Sequence, residues 1–104
     1  VCMLNVIANI EVKPGMREAF LAIFKANVPN VLSEDGCRRY EPCTDLDTGI
    51  PAQGGVRPNV VTIVESWESL DHLRKHLAAP HMAAYRAKVK DMVVGTKLQV
   101  VEPR

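Results

Sequence analysis

The stretch from Glu65 to Tyr85 (ESWESLDHLRKHLAAPHMAAY) holds all three histidines of the chain, His72, His76 and His81, its only tryptophan, Trp67, and Tyr85, one of its two tyrosines. Histidine is the side chain that exchanges protons near neutral pH. Aromatic side chains supply flat apolar walls with a polar tip. Together they point to acid–base chemistry on a ring-shaped molecule. His72 and His76 are four residues apart, a spacing that puts both on one side of a helix within reach of a shared metal. No carboxylate or thiolate in the local pattern completes a tetrahedral site, so no metal is expected and His72 is assigned to the surface. His76 borders the Leu73–Leu77 stripe and stands at the edge of the core. His81 follows Pro80 at the start of a helix, where the dipole disfavours the protonated imidazole. Either ring, neutral beside an apolar cavity, is a candidate base. A half-buried histidine satisfied by backbone is the alternative for each.

Glu65 and Trp67 share one face of a strand with Val61 and Ile63. A carboxylate among so much apolar surface is either paired, for instance with Arg86 or a histidine, or has its pKa raised. Trp67 is either plain core or a stacking surface for a ring. Tyr40 offers the same apolar body and polar tip, whereas Arg38, Arg39 and Arg57 fit a solvated edge. Cys2, Cys37 and Cys43 form no CxxC pair and no even framework, which reads as free thiols in a reducing compartment. Cys37 and Cys43, evenly spaced on one strand, leave a reactive thiol open.

Positioning these groups requires a fold. Met3–Val12 alternates as a strand, with Leu4, Val6, Ala8, Ile10 and Val12 on one face and Asn5, Ile7, Asn9 and Glu11 on the other. Pro14-Gly15 breaks it, and Met16–Glu34 follows as a helix with an apolar stripe through Met16, Phe20, Ile23, Phe24, Val28, Val31 and Leu32, kinked at Pro29. Cys37–Leu46 reads as an edge strand because of Pro42. The aperiodic segment 47–59 is a lid or a tolerated surface insertion. Val60–Trp67 is a β-branched strand. Ser69 caps a helix over Leu70–Leu77 with a buried stripe of Leu70, Leu73 and Leu77. A second helical segment spans about 81–92, with Met82, Tyr85, Val89 and Met92 as its stripe. Gly95 ends it, and Thr96–Val101 is the last strand. The order β-α-β-β-α-β predicts an α+β, ferredoxin-like antiparallel sheet with its helices on one face, a single domain over residues 3–103. The bare face of such a sheet calls for a second copy, which would make a homodimeric α+β barrel.

The 104 residues carry a formal charge of +1 with acids and bases interspersed, which gives no nucleic-acid footprint. No window is long and apolar enough to span a membrane, and the start lacks a signal-peptide pattern, so a cytoplasmic protein is expected. Nucleotide-binding glycine loops, a nucleophile elbow and HExxH are absent from the sequence.

The segments MLNVIANIEVKPG, VPNVLSEDGCRRYEP, IVESWESLDHLRKHLAAPHMAAY and LQVVEP together resemble the antibiotic-biosynthesis monooxygenase family. The run ExWES–HLxxHLxxPHMxAY is the most specific part, and the loop around Gln53-Gly54 the least alike. The resemblance implies a homodimer that uses no metal, flavin or haem and oxidises a small aromatic substrate, a quinol or related phenol, with O₂. It places His76, His81 and Glu65 in catalysis, and Tyr40, Trp67, Met82, Tyr85 and Arg86 around the substrate. Glu65 would orient the basic imidazole, with Tyr40, Trp67 and Tyr85 walling the ring. Polyketide-oxidising members carry an asparagine and a tyrosine where this chain has Ile63 and Leu73, which departs from their mechanism. His76 and Arg86 stand where haem-degrading relatives have their Trp and His, so haem fits poorly. A cofactor-free isomerase or lyase acting on a hydroxy-keto compound, or a quinone-binding protein without activity, is the alternative function.

Overall fold

A computed structural model describes residues 3–104, so expectations for Cys2 lie outside the described residues. Strand β1 spans Leu4–Val12, helix α1 Arg17–Leu32, strand β2 Cys37–Cys43, strand β3 Val60–Trp67, helix α2 Leu70–Leu77, helix α3 Pro80–Val89 and strand β4 Val93–Val101. The four strands form one antiparallel sheet in the order β2-β3-β1-β4. This is the expected ferredoxin-like arrangement. Side chains alternate across a strand, so every second residue of β1 meets the helices. Val6, Ala8, Ile10 and Val12 are accordingly buried, together with Val61 and Ile63 of β3 and Phe20, Phe24 and Val31 of α1. Asn5 and Asn9, on the opposite face, accept hydrogen bonds from Ser66 and Thr62 at 2.7 and 2.8 Å.

Several boundaries differ from the expected ones, each for a local reason. α1 runs through Pro29 to Leu32, because a proline costs one helical bond while the packing of Phe20, Phe24 and Val31 is retained. β4 begins at Val93, not Thr96, and Gly95 lies inside it opposite Glu11. Once β1 offers its edge, Val93 joins the ladder opposite Val12, with Val94 as the extra residue at a bulge before Gly95, and α3 stops at Val89. β2 ends at Cys43, and beyond it Asp45 grips Arg57 at 2.8 and 2.9 Å, which pulls the Asp45 carboxyl down to about 2. In α2, Leu70 and Leu77 are exposed and the buried pair is Leu73 and His76. The helix has rotated a polar ring into the place expected for a leucine.

The turn after α1 has one strict requirement. Gly36 has φ +83°, and a Cβ there would collide with the His72 ring. That ring in turn lies 2.6 Å from Ser69 Oγ, the cap of α2, and 3.3 Å from Asp35. His72 is therefore a structural residue that ties the end of α1 to the start of α2. Gly36→Ala should cost about 1–3 kcal/mol, since it combines left-handed strain with a displaced cap. Urea denaturation should show a lower midpoint at unchanged m value.

Candidate active site

Between the sheet and α3 lies a cavity of about 390 Å³. Its sheet side is apolar: Ala8 and Ile10 of β1, Ile63 of β3, and Val93 and Leu98 of β4. Met82, Tyr85 and Val89 of α3 form the helix wall, and Arg86 and Lys90 stand among the lining residues too. The lining includes the titratable groups Glu65 from β3 and His76 from α2, beside Tyr85, Arg86 and Lys90. Strand register explains the first. Glu65 pairs with Val6 on one side and Tyr40 on the other, within the row of residues whose side chains meet the helices.

Glu65 is paired with neither Arg86 nor a histidine. Its Oε1 accepts a hydrogen bond from the Trp67 indole N–H at 3.0 Å, while Arg86 donates to the Leu77 carbonyl at 2.8 Å. Burial pushes the Glu65 carboxyl up to about 7. The Trp67 bond pulls it back and the Glu34 charge adds to the rise. Near neutral pH this carboxyl is thus poised between its two states.

The His76 ring is 2% exposed and is held from three directions. Trp67 packs on it with centroids 4.6 Å apart, and Tyr40 meets it edge-on at 5.4 Å. Its Nδ1 lies 2.8 Å from Glu34 Oε2. Burial lowers the His76 pKa and the Glu34 bond and charge oppose that, with a net shift downward, so the ring is neutral at pH 7. Among the described residues no protein group bonds to Nε2, and no buried side-chain nitrogen or oxygen is left without a partner. Nε2 therefore reaches the cavity.

The expected site residues divide into three sets. Glu65, His76, Met82, Tyr85 and Arg86 meet at the cavity. Tyr40 and Trp67 do not line it. Both are buried behind His76, with Tyr40 stacked on Phe24 at 5.2 Å, so they fix the imidazole and the carboxyl and leave the walling to others. His81 lies beyond Glu34 on a separate pocket of about 150 Å³, lined also by Asn27, Asn30 and Lys88. Its Nε2 is 3.1 Å from the same Glu34 Oε2. The carboxylate beside the imidazole is therefore Glu34, not the expected Glu65. Segment 47–59 contributes no residue to the cavity, so the lid expectation finds no contact there. Burial pushes the Cys37 thiol up to about 11, which favours the thiol over the nucleophilic thiolate, and no three His, Cys, Asp or Glu side chains converge on a metal-sized space among the described residues.

A ferredoxin-like sheet holding a largely apolar cavity, with an imidazole and a poised carboxyl at its wall, has the architecture of a small-molecule site. Residues 3–88 match the antibiotic biosynthesis monooxygenase family, and the chain belongs to it. It is 41% identical over 103 residues to a curated Escherichia coli protein described as a probable quinol monooxygenase, YgiN, which covers 97% of this chain and 98% of that one. Among solved structures, Rv0793 from Mycobacterium tuberculosis superposes with a TM-score of 0.79 at 26% identity, covering 98% of this chain and 95% of that one. A conserved protein from Methanosarcina mazei superposes at 0.83 with 20% identity, over 98% and 93% of the two chains, a likeness of fold alone. These relatives support a monooxygenase role. No helix is long and apolar enough to cross a membrane.

The Glu65 shift makes a signed stability prediction. A carboxyl whose pKa rises from 4.5 to about 7 on folding binds its proton more tightly in the folded state, so stability falls as pH climbs through that window. The displacement corresponds to about 3 kcal/mol as an upper figure. Glu65→Gln keeps an acceptor for Trp67 and removes the titration. Its stability relative to wild type should rise between pH 5 and pH 8, as read by thermal or urea unfolding at each pH.

Proposed function

We propose that this protein oxidises a quinol or a related phenolic aromatic with O₂, without a resident cofactor, and that His76 is the general base. The observation that carries this reading is the His76 ring itself: buried, neutral, fixed through Nδ1, and with Nε2 open to an apolar cavity. O₂ reacts slowly with closed-shell molecules, but a deprotonated quinol is electron-rich enough to give up one electron to it. The protein then has three tasks, which are to bind the ring, remove its hydroxyl proton and keep water away. The cavity is of a size suited to such a ring, at the small end of the roughly 300–1,000 Å³ usual for ligand sites. Met82 and Tyr85 would contact the ring and Arg86 would stand beside it. Glu65, partly protonated near neutral pH, would offer a hydrogen bond to a second oxygen. The relative described as a quinol monooxygenase favours this substrate class over other phenols.

The same reading takes residues 3–103 as one domain acting as a homodimer in the cytoplasm, where free Cys37 and Cys43 are at home. The helix-free face of the sheet presents Ile7 and Val64, with Val101 of β4, opposite Asn5, 45% exposed beside them. A patch of this kind is costly in water. Light scattering should give twice the chain mass at micromolar concentration, and a monomer at that concentration removes the dimer.

The catalytic claim is tested by oxygen consumption with menadiol as the quinol and a chelator present. Wild type should exceed autoxidation clearly. His76→Ala should lose about 10²–10⁴-fold of that excess, the contribution typical of a well-placed base. A variant that matches wild type while retaining its fold by circular dichroism would eliminate His76 as the base.

A further inference from the structure

We infer that Glu34 is the positioning residue that turns the His76 ring into a base directed at the cavity, and that His81 acts on the reaction only through Glu34. This rests on the quinol-oxidising reading for its kinetic part and on geometry for the rest.

An ionised carboxylate only accepts hydrogen bonds. Glu34 Oε2 has two imidazole nitrogens within reach, His76 Nδ1 at 2.8 Å and His81 Nε2 at 3.1 Å. Both of those nitrogens must then carry the hydrogen. In a neutral ring this puts the lone pair of His76 on Nε2, the nitrogen that reaches the cavity, and the lone pair of His81 on Nδ1. The neighbouring groups agree with that assignment. Asn27 Nδ2, a donor, sits 3.3 Å from His81 Nδ1, and Asn27 Oδ1 accepts from Asn30 at 3.0 Å. Every partner in the run Asn30–Asn27–His81–Glu34–His76 therefore has its required polarity, and the run ends on a lone pair facing the substrate space. With the opposite tautomer, His76 would present an N–H to a substrate hydroxyl and could not take its proton.

The step balances simply. The hydroxyl O–H bond of the quinol breaks and an N–H bond forms at His76 Nε2. The bonding pair stays on the quinol oxygen, and the new imidazolium keeps its Nδ1–H on Glu34. Positive charge thus develops against a carboxylate already in contact, in a site too buried for water to supply that compensation. His81 supplies the second N–H that fixes the rotation of the carboxylate, and Asn27 fixes His81. The remaining charged or titratable groups around His76 are Glu65 and Tyr40 from the sheet, Tyr85 and Arg86 from α3, and Lys90 just beyond it, all of which contribute to any pH profile. A direct report on the ring is accordingly needed beside the kinetics.

The experiment measures imidazole ¹⁵N shifts and menadiol-dependent oxygen uptake for wild type, Glu34→Gln, Glu34→Asp, His81→Ala and the Glu34→Gln/His81→Ala pair. Wild-type His76 should show the Nδ1–H tautomer. A glutamine offers one acceptor and one N–H₂ where the carboxylate offers acceptors alone, so Glu34→Gln should shift the His76 tautomer and lower kcat by about 10²-fold or more with KM little changed. Glu34→Asp should recover part of kcat and the wild-type tautomer. His81→Ala should lower kcat by about 3–10-fold alone and add nothing in the Glu34→Gln background, the signature of two residues acting through one group. Unchanged His76 shifts in Glu34→Gln overturn the positioning role, whatever the rates. Additive losses in the double variant overturn the indirect role of His81. A wild type that never exceeds autoxidation sinks the quinol reading, while the ring shifts still decide for or against Glu34.

Discussion

A ring as buried as that of His76 cannot rely on water for its polar edge, so the protein has to supply partners for it, and most of the site follows from how it does so. The Trp67 indole presses on the ring at 4.6 Å and donates its own N–H to Glu65. One fully buried side chain thereby sets the positions of both proton-handling groups that face the cavity. Tyr40 closes the other side of the imidazole and is itself stacked on Phe24 of α1. The remaining nitrogen partner, Glu34, comes from the turn that ends α1, whose backbone passes through Gly36 at positive φ with the His72 ring packed where a Cβ would be. Moving any of these elements moves the imidazole.

The sheet contributes through register. Because side chains alternate, a one-residue slip of β3 would send Glu65 and Trp67 to the opposite face and bring Val64 and Ser66 inward. The slip is opposed from both faces, by the burial of Val61, Ile63 and Trp67 on the helix side and by the Thr62–Asn9 and Ser66–Asn5 hydrogen bonds on the other. The polar residues of that second face thus serve the site indirectly, by locking the row in which Glu65 stands beside Tyr40 and Val6.

Strand alternation and helical stripes were enough to place β1, β3 and α1 and to predict the element order, because each buries a face with a strict period. The limits of α3 and β4 could not be read the same way. Gly95 and Thr96 look like punctuation until β1 offers an edge to pair with, and only then does Val93 become a strand residue. At the site, the histidine cluster and Glu65 stood out by type and context, and His76, Met82, Tyr85 and Arg86 do meet at the cavity. Tyr40 and Trp67 were visible as large aromatics, but which side of the imidazole they occupy is a matter of packing. Glu34 carries no mark in the sequence. It is an ordinary acid in a helix-ending turn, 42 and 47 positions from its two partners, and only the docking of α1 against α3 and α2 gives it a role.

Glu65 and His76 have both been moved toward their neutral forms, which leaves Arg86 and Lys90 as the fixed charges among the lining residues. Burial lowers His76 and raises Glu65 toward 7, and each shift favours the neutral form of its group. An apolar ring then meets fixed charge only at Arg86 and Lys90. In the proposed chemistry the charge pair appears only when the proton moves, as an imidazolium and a phenolate. At that moment Glu34, outside the cavity lining, faces the imidazolium from behind. Had that carboxylate been placed inside the cavity, it would have repelled the developing phenolate as strongly as it attracted the imidazolium. Putting the acid on the far side of the ring separates those two effects. In the proposed chemistry, that separation gives a burial between an indole and a carboxylate, on a helix whose neighbouring buried residue is Leu73, a use beyond packing.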